Sequence, residues 1–354
     1  MLIILFACAG DNTSHVDTPT VPSGSGKNIN GSLTGRVILG GLRDGWSLDL
    51  STGNYSRIPD LELWDDNPDY LCIARVTAYP VAYDGSEFIE TVESCYYLGD
   101  DVFSSNCVKI YNQSGDVVKH VNYRGDFIAG AKLSKDSRYV AVAREYSSSN
   151  SYLEIHDRVG KLLSEDIIDD TYVRLSFSWL PDNSLVYSFK QSIYLTDELS
   201  TKGTAFISFT EIEGKPRDIA VSPDGVKVAF TLVTDQSLGN ADGQIWIANI
   251  DGTNLRQLTT VPDDSIPSIR DPAWSPDGKW ILAAGGGFND SGASNPGLPD
   301  VLYAIPSNGE KVFLTTSGTT AAIPIRSYNG IIRGDKSPEL SYKFQSSGNH
   351  AWLP

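Results

Sequence analysis

Methionine is nearly missing from this chain, with one in 354 residues, and histidine and cysteine are scarce at four each. So few imidazoles and thiols leave little material for a metal centre. The histidines that lie beyond the N-terminal region, His120, His156 and His350, are too far apart along the chain for ligand spacing. Basic residues are also in deficit, 28 Lys and Arg against 44 Asp and Glu, for a formal net charge of −16. A surface of that sign repels a phosphate backbone unless one face is locally basic, and no basic stripe is present, so nucleic acid is not an expected partner. Nor is a cofactor or a metal expected. The stretch Pro22–Lys27 looks briefly like a phosphate loop, yet Val21 stands where the first glycine belongs and Asn28 where the motif needs Ser or Thr. No G-x-S-x-G elbow marks a serine hydrolase. Long apolar runs are lacking too: the nearest, Met1–Ala7, is too short to span a bilayer.

What is present is a globular composition rich in turns, with 40% hydrophobic residues, 20% charged residues and 32 glycines. Self-similarity decides how those residues are arranged. Residues 217–258 run through Arg217-Asp218, then Ser222-Pro-Asp-Gly225, an apolar strand, a polar loop, a second strand ending at Asp251-Gly252, and Leu255–Leu258. Residues 270–314 repeat that order through Arg270-Asp271, Ser275-Pro-Asp-Gly278, Trp280–Ala283, Val301–Ile305 and Val312–Leu314. Weaker copies are headed by Trp179-Leu-Pro-Asp-Asn183, Leu133-Ser-Lys-Asp-Ser137 and Tyr83-Asp-Gly85. Each copy reads as four short strands broken by tight turns.

The ends of the chain complement one another. Residues 36–58 match the second to fourth strands of a repeat but lack the first, and Ala351-Trp-Leu-Pro354 matches that missing strand. The expectation is an all-β, six-bladed propeller of four-stranded antiparallel blades over 36–354, closed by the C-terminal strand joining the N-terminal blade. A degenerate seventh blade in 317–349 is the alternative. Ahead of it, 9–35 reads as a flexible tether and 1–8 as a signal-peptide remnant. Trp46, Trp179, Trp246, Trp274 and Trp352 recur at strand positions and are expected in core and inter-blade packing.

On the Ser-Pro-Asp-Gly turns and the downstream Asp251-Gly252 and Leu258-Thr-Thr260, the chain resembles the TolB-like family of WD-like repeat propellers. The resemblance covers 36–316 and the last few residues. It implies a propeller and a cell-envelope location, but not TolB itself, whose N-terminal α/β domain is not seen here. The start Leu5-Phe-Ala-Cys8 resembles a bacterial lipoprotein box, which implies lipidation at Cys8 and attachment to a membrane through that anchor only. An exported chain permits disulfides, and Cys95 and Cys107 flank one connection between neighbouring strands, which makes them the candidate pair.

Turn carboxylates such as Asp224, Asp251 and Asp277 read as structural, because Asp bonds nearby backbone while Gly supplies positive φ. The long b–c loops (98–106, 146–150, 234–242, 285–300) and d–a loops (61–70, 120–126, 166–172, 261–271, 317–349) share one face, where binding is expected. Candidate contacts there are Trp64, Asp65, Asp66, Asp263 and Asp264, with Arg217, Asp218, Arg270 and Asp271 at the mouth of the central channel. The expected function is an interaction scaffold in the periplasm or at the cell surface, for a protein partner with a basic surface. The alternative is a propeller enzyme of polysaccharide lyase or lactonase type at the channel mouth.

Overall fold

The computed structural model describes residues 29–39, 46–57, 70–72, 86–97, 104–112, 117–124, 127–146, 150–169, 175–212, 214–234, 243–260, 268–286, 301–314, 321–327, 330–331 and 350–354. Short antiparallel strands make up nearly all of them. The first sheet holds β1 (Arg36–Leu39), β2 (Trp46–Asp49) and β3 (Tyr55–Arg57), with β28 (His350–Leu353) added on the far side of β1. The next holds β4 (Tyr70–Cys72), β5 (Glu87–Tyr97), β6 (Ser104–Asn112) and β7 (Val117–Arg124). Then come β8 (Phe127–Leu133), β9 (Tyr139–Tyr146), β10 (Asn150–Asp157) and β11 (Leu162–Asp169), followed by β12 (Phe177–Trp179), β13 (Leu185–Phe189), β14 (Ser192–Thr196) and β15 (Gly203–Ser208). After these lie β16 (Lys215–Val221), β17 (Lys227–Val233), β18 (Gly243–Asn249) and β19 (Arg256–Gln257). The last four-stranded sheet orders β21 (Ser268–Trp274), β22 (Trp280–Gly286), β23 (Val301–Pro306) and β25 (Ile323–Pro324). This is a β-propeller of small antiparallel sheets.

Burial explains why the middle strands read as unbroken apolar runs. Lys227–Val233 is buried at every position but its first, and Val301–Ile305 at every position, because both faces of a blade are covered by its neighbours. Successive sheets meet in apolar clusters. Leu133, Val140 and Val142 face Val108 and Ile110; Phe177 and Leu185 face Ala143 and Leu153; Phe230 and Leu232 face Val186 and Ile193; Ile281 and Tyr303 face Ile245 and Ile247. A further cluster joins Leu282 and Leu302 to Val37, Leu48 and Trp352.

The expected closure is in place. Arg36, Val37, Ile38 and Leu39 pair with Leu353, Trp352, Ala351 and His350 in antiparallel register. Around this joint the folded part begins earlier than residue 36, the expected end of the tether. Asn30 is fully buried and its side chain donates to the carbonyls of Leu50 (2.8 Å) and Arg326 (3.0 Å), while Leu33 joins the core. The chain folds there because buried amide donors find backbone acceptors on both sides.

Other expectations need correction. Residues 104–106, 120–124, 166–169 and 268–271, read as loop, are strand residues. Val312-Phe313, read as the outer strand of its own repeat, forms β24 and pairs in parallel with β20 (Thr259–Thr260), which belongs to the preceding repeat; β25 takes the outer place instead. The described part of 317–349 therefore completes an existing sheet and adds a two-stranded ribbon of β26 (Arg326–Ser327) and β27 (Gly330–Ile331). The tryptophans also fall into two groups: Trp46 and Trp246 lie on third strands, whereas Trp179, Trp274 and Trp352 lie on inner strands. Trp179 and Trp274 donate Nε1–H to carbonyls of the neighbouring inner strand, Lys132 (2.9 Å) and Ala220 (3.0 Å), but Trp352 donates to Thr34, in the segment leading into β1 (2.9 Å). That difference fits a strand that seals a blade from within.

Replacing Trp352 by Ala should cost about 3–5 kcal/mol, the range for truncating a buried aromatic. Val226→Ala, on an exposed turn, should stay within about 0.5 kcal/mol. Urea denaturation of the two variants side by side measures the contrast.

Candidate functional site at the channel

Inner strands of four different sheets bring charged side chains toward one another. Lys132 (β8), Asp218 (β16), Asp271 (β21) and His350 (β28) come from residues spread over most of the chain. In β16 and β21 the ladder shifts register between Arg217 and Ala220 and between Arg270 and Ala273, so the two Arg-Asp pairs open two matching bulges. Asp218 and Asp271 sit in these bulges with φ of 53° and 58°. Left-handed backbone is tolerated by Asp, whose short polar side chain bonds locally, and a bulge re-aims the side chain it carries.

The electrostatics follow from this convergence. Burial lowers Lys132 to about 8, and the charges of Asp218 and Asp271 oppose that shift. Its ammonium lies 5.6 Å from the centre of the Phe177 ring. Burial lowers His350 to about 4, against the Asp271 and Leu282 carbonyls and the charge of Asp218. The site thus holds two carboxylates, an imidazole held neutral at pH 7 and an amine with a raised neutral fraction. Beside it Arg270 is buried and donates Nε–H to the Ser268 hydroxyl at 2.8 Å.

At the other end of the inner strands the turns satisfy themselves. The Asp136, Asp224 and Asp277 carboxylates accept from Ser134, Ser222 and Ser275 at 2.7, 2.6 and 2.7 Å, and from the backbone N–H of Arg138, Val226 and Lys279 at 3.0, 3.1 and 3.1 Å. Gly225 (φ 75°) closes its turn against Pro181 of the preceding blade, where a Cβ would come within 2.7 Å of the proline ring. Lys135 reaches from its own turn to the carbonyls of Ser222 and Pro223, both at 3.0 Å, and ties together turns two blades apart. Among the described residues no three His, Cys, Asp or Glu side chains gather as a set able to hold a metal.

No protein-family model matches the sequence, and no curated protein matches it either. Among solved structures, the chain is similar to TolB from Acinetobacter baumannii, with a TM-score of 0.58 and 13% identity over 90% of this chain and 67% of that one. It is also similar to a putative TolB from Agrobacterium tumefaciens, with a TM-score of 0.50 and 16% identity over 79% of this chain and 87% of that one. The fold is that of a TolB-like β-propeller. At such identity the likeness is one of fold.

Within this TolB-like propeller the expected contact residues separate into two groups. Asp218 and Asp271, on inner strands of neighbouring sheets, both act by charge on Lys132, with Arg217 and Arg270 beside them at the bulges. Trp64, Asp65, Asp66, Asp263, Asp264 and Cys8 lie outside the described residues. Cys95 stands opposite Cys72 and Ser105, and Cys107 opposite Val92, so the candidate pair occupies adjacent strands one diagonal step apart. Lys132 and His350 were not singled out from the sequence as site residues. Aligning the turns shows the missed signal: two residues before Ser134, Lys132 occupies the place of Ala220 before Ser222 and Ala273 before Ser275.

Stability should follow these two groups. From pH 6.5 to 4 the unfolded chain binds a proton on His350 that the folded chain does not, so stability falls as pH drops through that window. From about pH 8 to 10.5 the unfolded chain binds the Lys132 proton more tightly than the folded one, so stability rises with pH; Lys135, also held near 8 by burial, adds to this rise. Melting curves of His350→Gln should therefore lose part of the acid slope, and those of Lys132→Met part of the alkaline rise.

Proposed function

We propose that the chain is an exported interaction scaffold, a closed ring of six blades that holds a protein partner on its long-loop face. One observation carries this reading: the Ser-x-Asp turns spend their carboxylates and hydroxyls on one another and on their own backbone N–H groups. A face so consumed offers a partner little polar surface, and its copies are too alike to distinguish partners. The connections that the repeat pattern assigns to the opposite face differ in length and charge, with acidic pairs at Asp65-Asp66 and Asp263-Asp264 in the sequence. Likeness to TolB structures and the lipoprotein-like Cys8 support an envelope location with a lipid anchor. No helix among the described residues is long and apolar enough to cross a membrane.

Association with a partner recovered from the native envelope tests the face. Charge reversal at Asp65-Asp66 or Asp263-Asp264 should slow association, more at low salt than where screening sets in beyond about 8 Å. The same change at Asp224 should instead lower the melting temperature. Salt-insensitive binding, or loss confined to turn variants, would put the interface elsewhere. The anchor has its own test: Cys8→Ser in the full-length precursor should shift the protein from the membrane to the soluble fraction.

A second reading, an enzyme of polysaccharide lyase or lactonase type, draws on the channel cluster, since groups with displaced proton affinities gather at active sites. In it Lys132 would be the base.

A further inference from the structure

The outer strands of the blades are not alike. β3, β19 and β25 have three, two and two residues, too short to template another strand. In β15 the exposed residues are Thr204, Ala205 and Ser208, small or polar. β7 and β11 are longer, eight residues each, and β11 exposes Leu162, Leu163 and Ile167, the last at 53%. Val159, 76% exposed, lies just before it, and Lys119 of β7 donates to the Val159 carbonyl at 2.9 Å. Elsewhere Val226, Leu255 and Phe313 are exposed apart from one another on turns and short strands.

An outer strand leaves alternate backbone N–H and C=O groups without a ladder partner, and long apolar edges are normally shortened, charged or covered because they recruit another strand. In β11 the Ile167 N–H donates to the carboxylate of Asp166 at 3.1 Å, a side chain standing where a further strand would offer a carbonyl. The strand's charges indicate what would pair with it. Exposed Glu165 and part-buried Asp166 lie at its centre and Asp169 at its end, with Lys161 just before its start. Arg144, from inside the sheet, is bonded to Glu154 and lies 3.7 Å from Glu165. Antiparallel pairing of two β11 strands would set the central carboxylates of one copy against those of the other, and like charges directly opposite destabilise a sheet. A second copy therefore fits poorly. A strand with basic residues between apolar ones fits on both counts.

We propose that β11 is a docking edge that takes an extended, basic segment of a partner polypeptide as an added strand, its apolar side chains covering Leu163 and Ile167 on one face of the strand and its cations facing Asp166 on the other. Main-chain pairing would supply affinity and the alternating side chains selectivity. This surface is separate from the long-loop face and stands or falls independently of it.

The test uses two ten-residue peptides, one alternating Val with Lys and one alternating Val with Glu, each with a fluorescent label, against the full chain. The Val-Lys peptide should bind, raise anisotropy and slow hydrogen exchange of amides within 162–168. The Val-Glu peptide should bind at least tenfold more weakly. Leu163→Lys with Ile167→Lys should weaken the Val-Lys peptide at least tenfold while leaving the melt unchanged, since both residues are exposed. Equal binding by wild type and variant, no binding at all, or binding without new protection in β11 would overturn the proposal. So would a concentration-dependent dimer of the free protein that the double variant abolishes, because the edge would then serve a second copy.

Discussion

A sheet edge is an unpaid row of backbone donors and acceptors, and the architecture of this chain depends on how the edge of β1 is met. The inner side of β1 has no partner nearby in sequence, and the strand that fills it, β28, comes from the opposite end of the chain. Without it, Trp352 would leave the cluster it shares with Leu282 and Leu302, and the first sheet would lose both a strand and a large part of its interface. Asn30 reinforces the same joint from another direction, because its amide donates to Leu50 and Arg326 while the Arg326 N–H donates back to its side-chain oxygen at 2.7 Å. Both contacts close loops of some three hundred residues. The entropic cost of closure grows only slowly with such length, so a few buried residues at the ends can hold the joint.

The blades are stitched toward the axis by polar contacts between inner strands. Trp179 and Trp274 donate to the preceding inner strand, and the backbone N–H groups of Ile219 and Val221 donate to the Ser176 and Ser178 hydroxyls at 2.6 and 3.2 Å. Near those contacts the two bulges break the ladder and set Asp218 and Asp271 in left-handed backbone. The polarity of the channel is thus a by-product of how the inner strands enter it. A bulge there costs ladder bonds and gains a carboxylate aimed at the amine of Lys132.

Polar groups at the two ends of the inner strands are used differently. The turn carboxylates are saturated by short local bonds and serve geometry. Those at the bulges act across the axis on groups from other blades, where burial has already displaced the proton affinities of Lys132 and His350. The outer rim adds a third setting at β11, where apolar and acidic side chains alternate on an edge that no other described strand pairs with. A scaffold read on its loop face alone would miss that rim.

Strand and turn were legible from local chemistry. Ser222-Pro-Asp-Gly225 and Ser275-Pro-Asp-Gly278 closed as their residues require, and runs such as Val228–Val233 signalled strands covered on both faces. The matching half-repeats at the two ends disclosed the closure because complementary strands must share one pattern. Partner choice among equivalent strands was not legible. Val312-Phe313 has the composition of an outer strand, yet it pairs with Thr259-Thr260 of the neighbouring repeat, because backbone hydrogen bonding is indifferent to which blade supplies the acceptor. Of the channel cluster, Asp218 and Asp271 were legible as one recurring position of the repeat, whereas Lys132 and His350 were hidden for a related reason. Those two share no spacing with the aspartates, and only the ring, by bringing inner strands to one axis, sets their side chains within reach of the carboxylate charges. Sequence determined which backbone each short segment adopts, since that depends on contacts within a few residues. Tertiary structure alone decided which charges meet, since that depends on where the sheets converge.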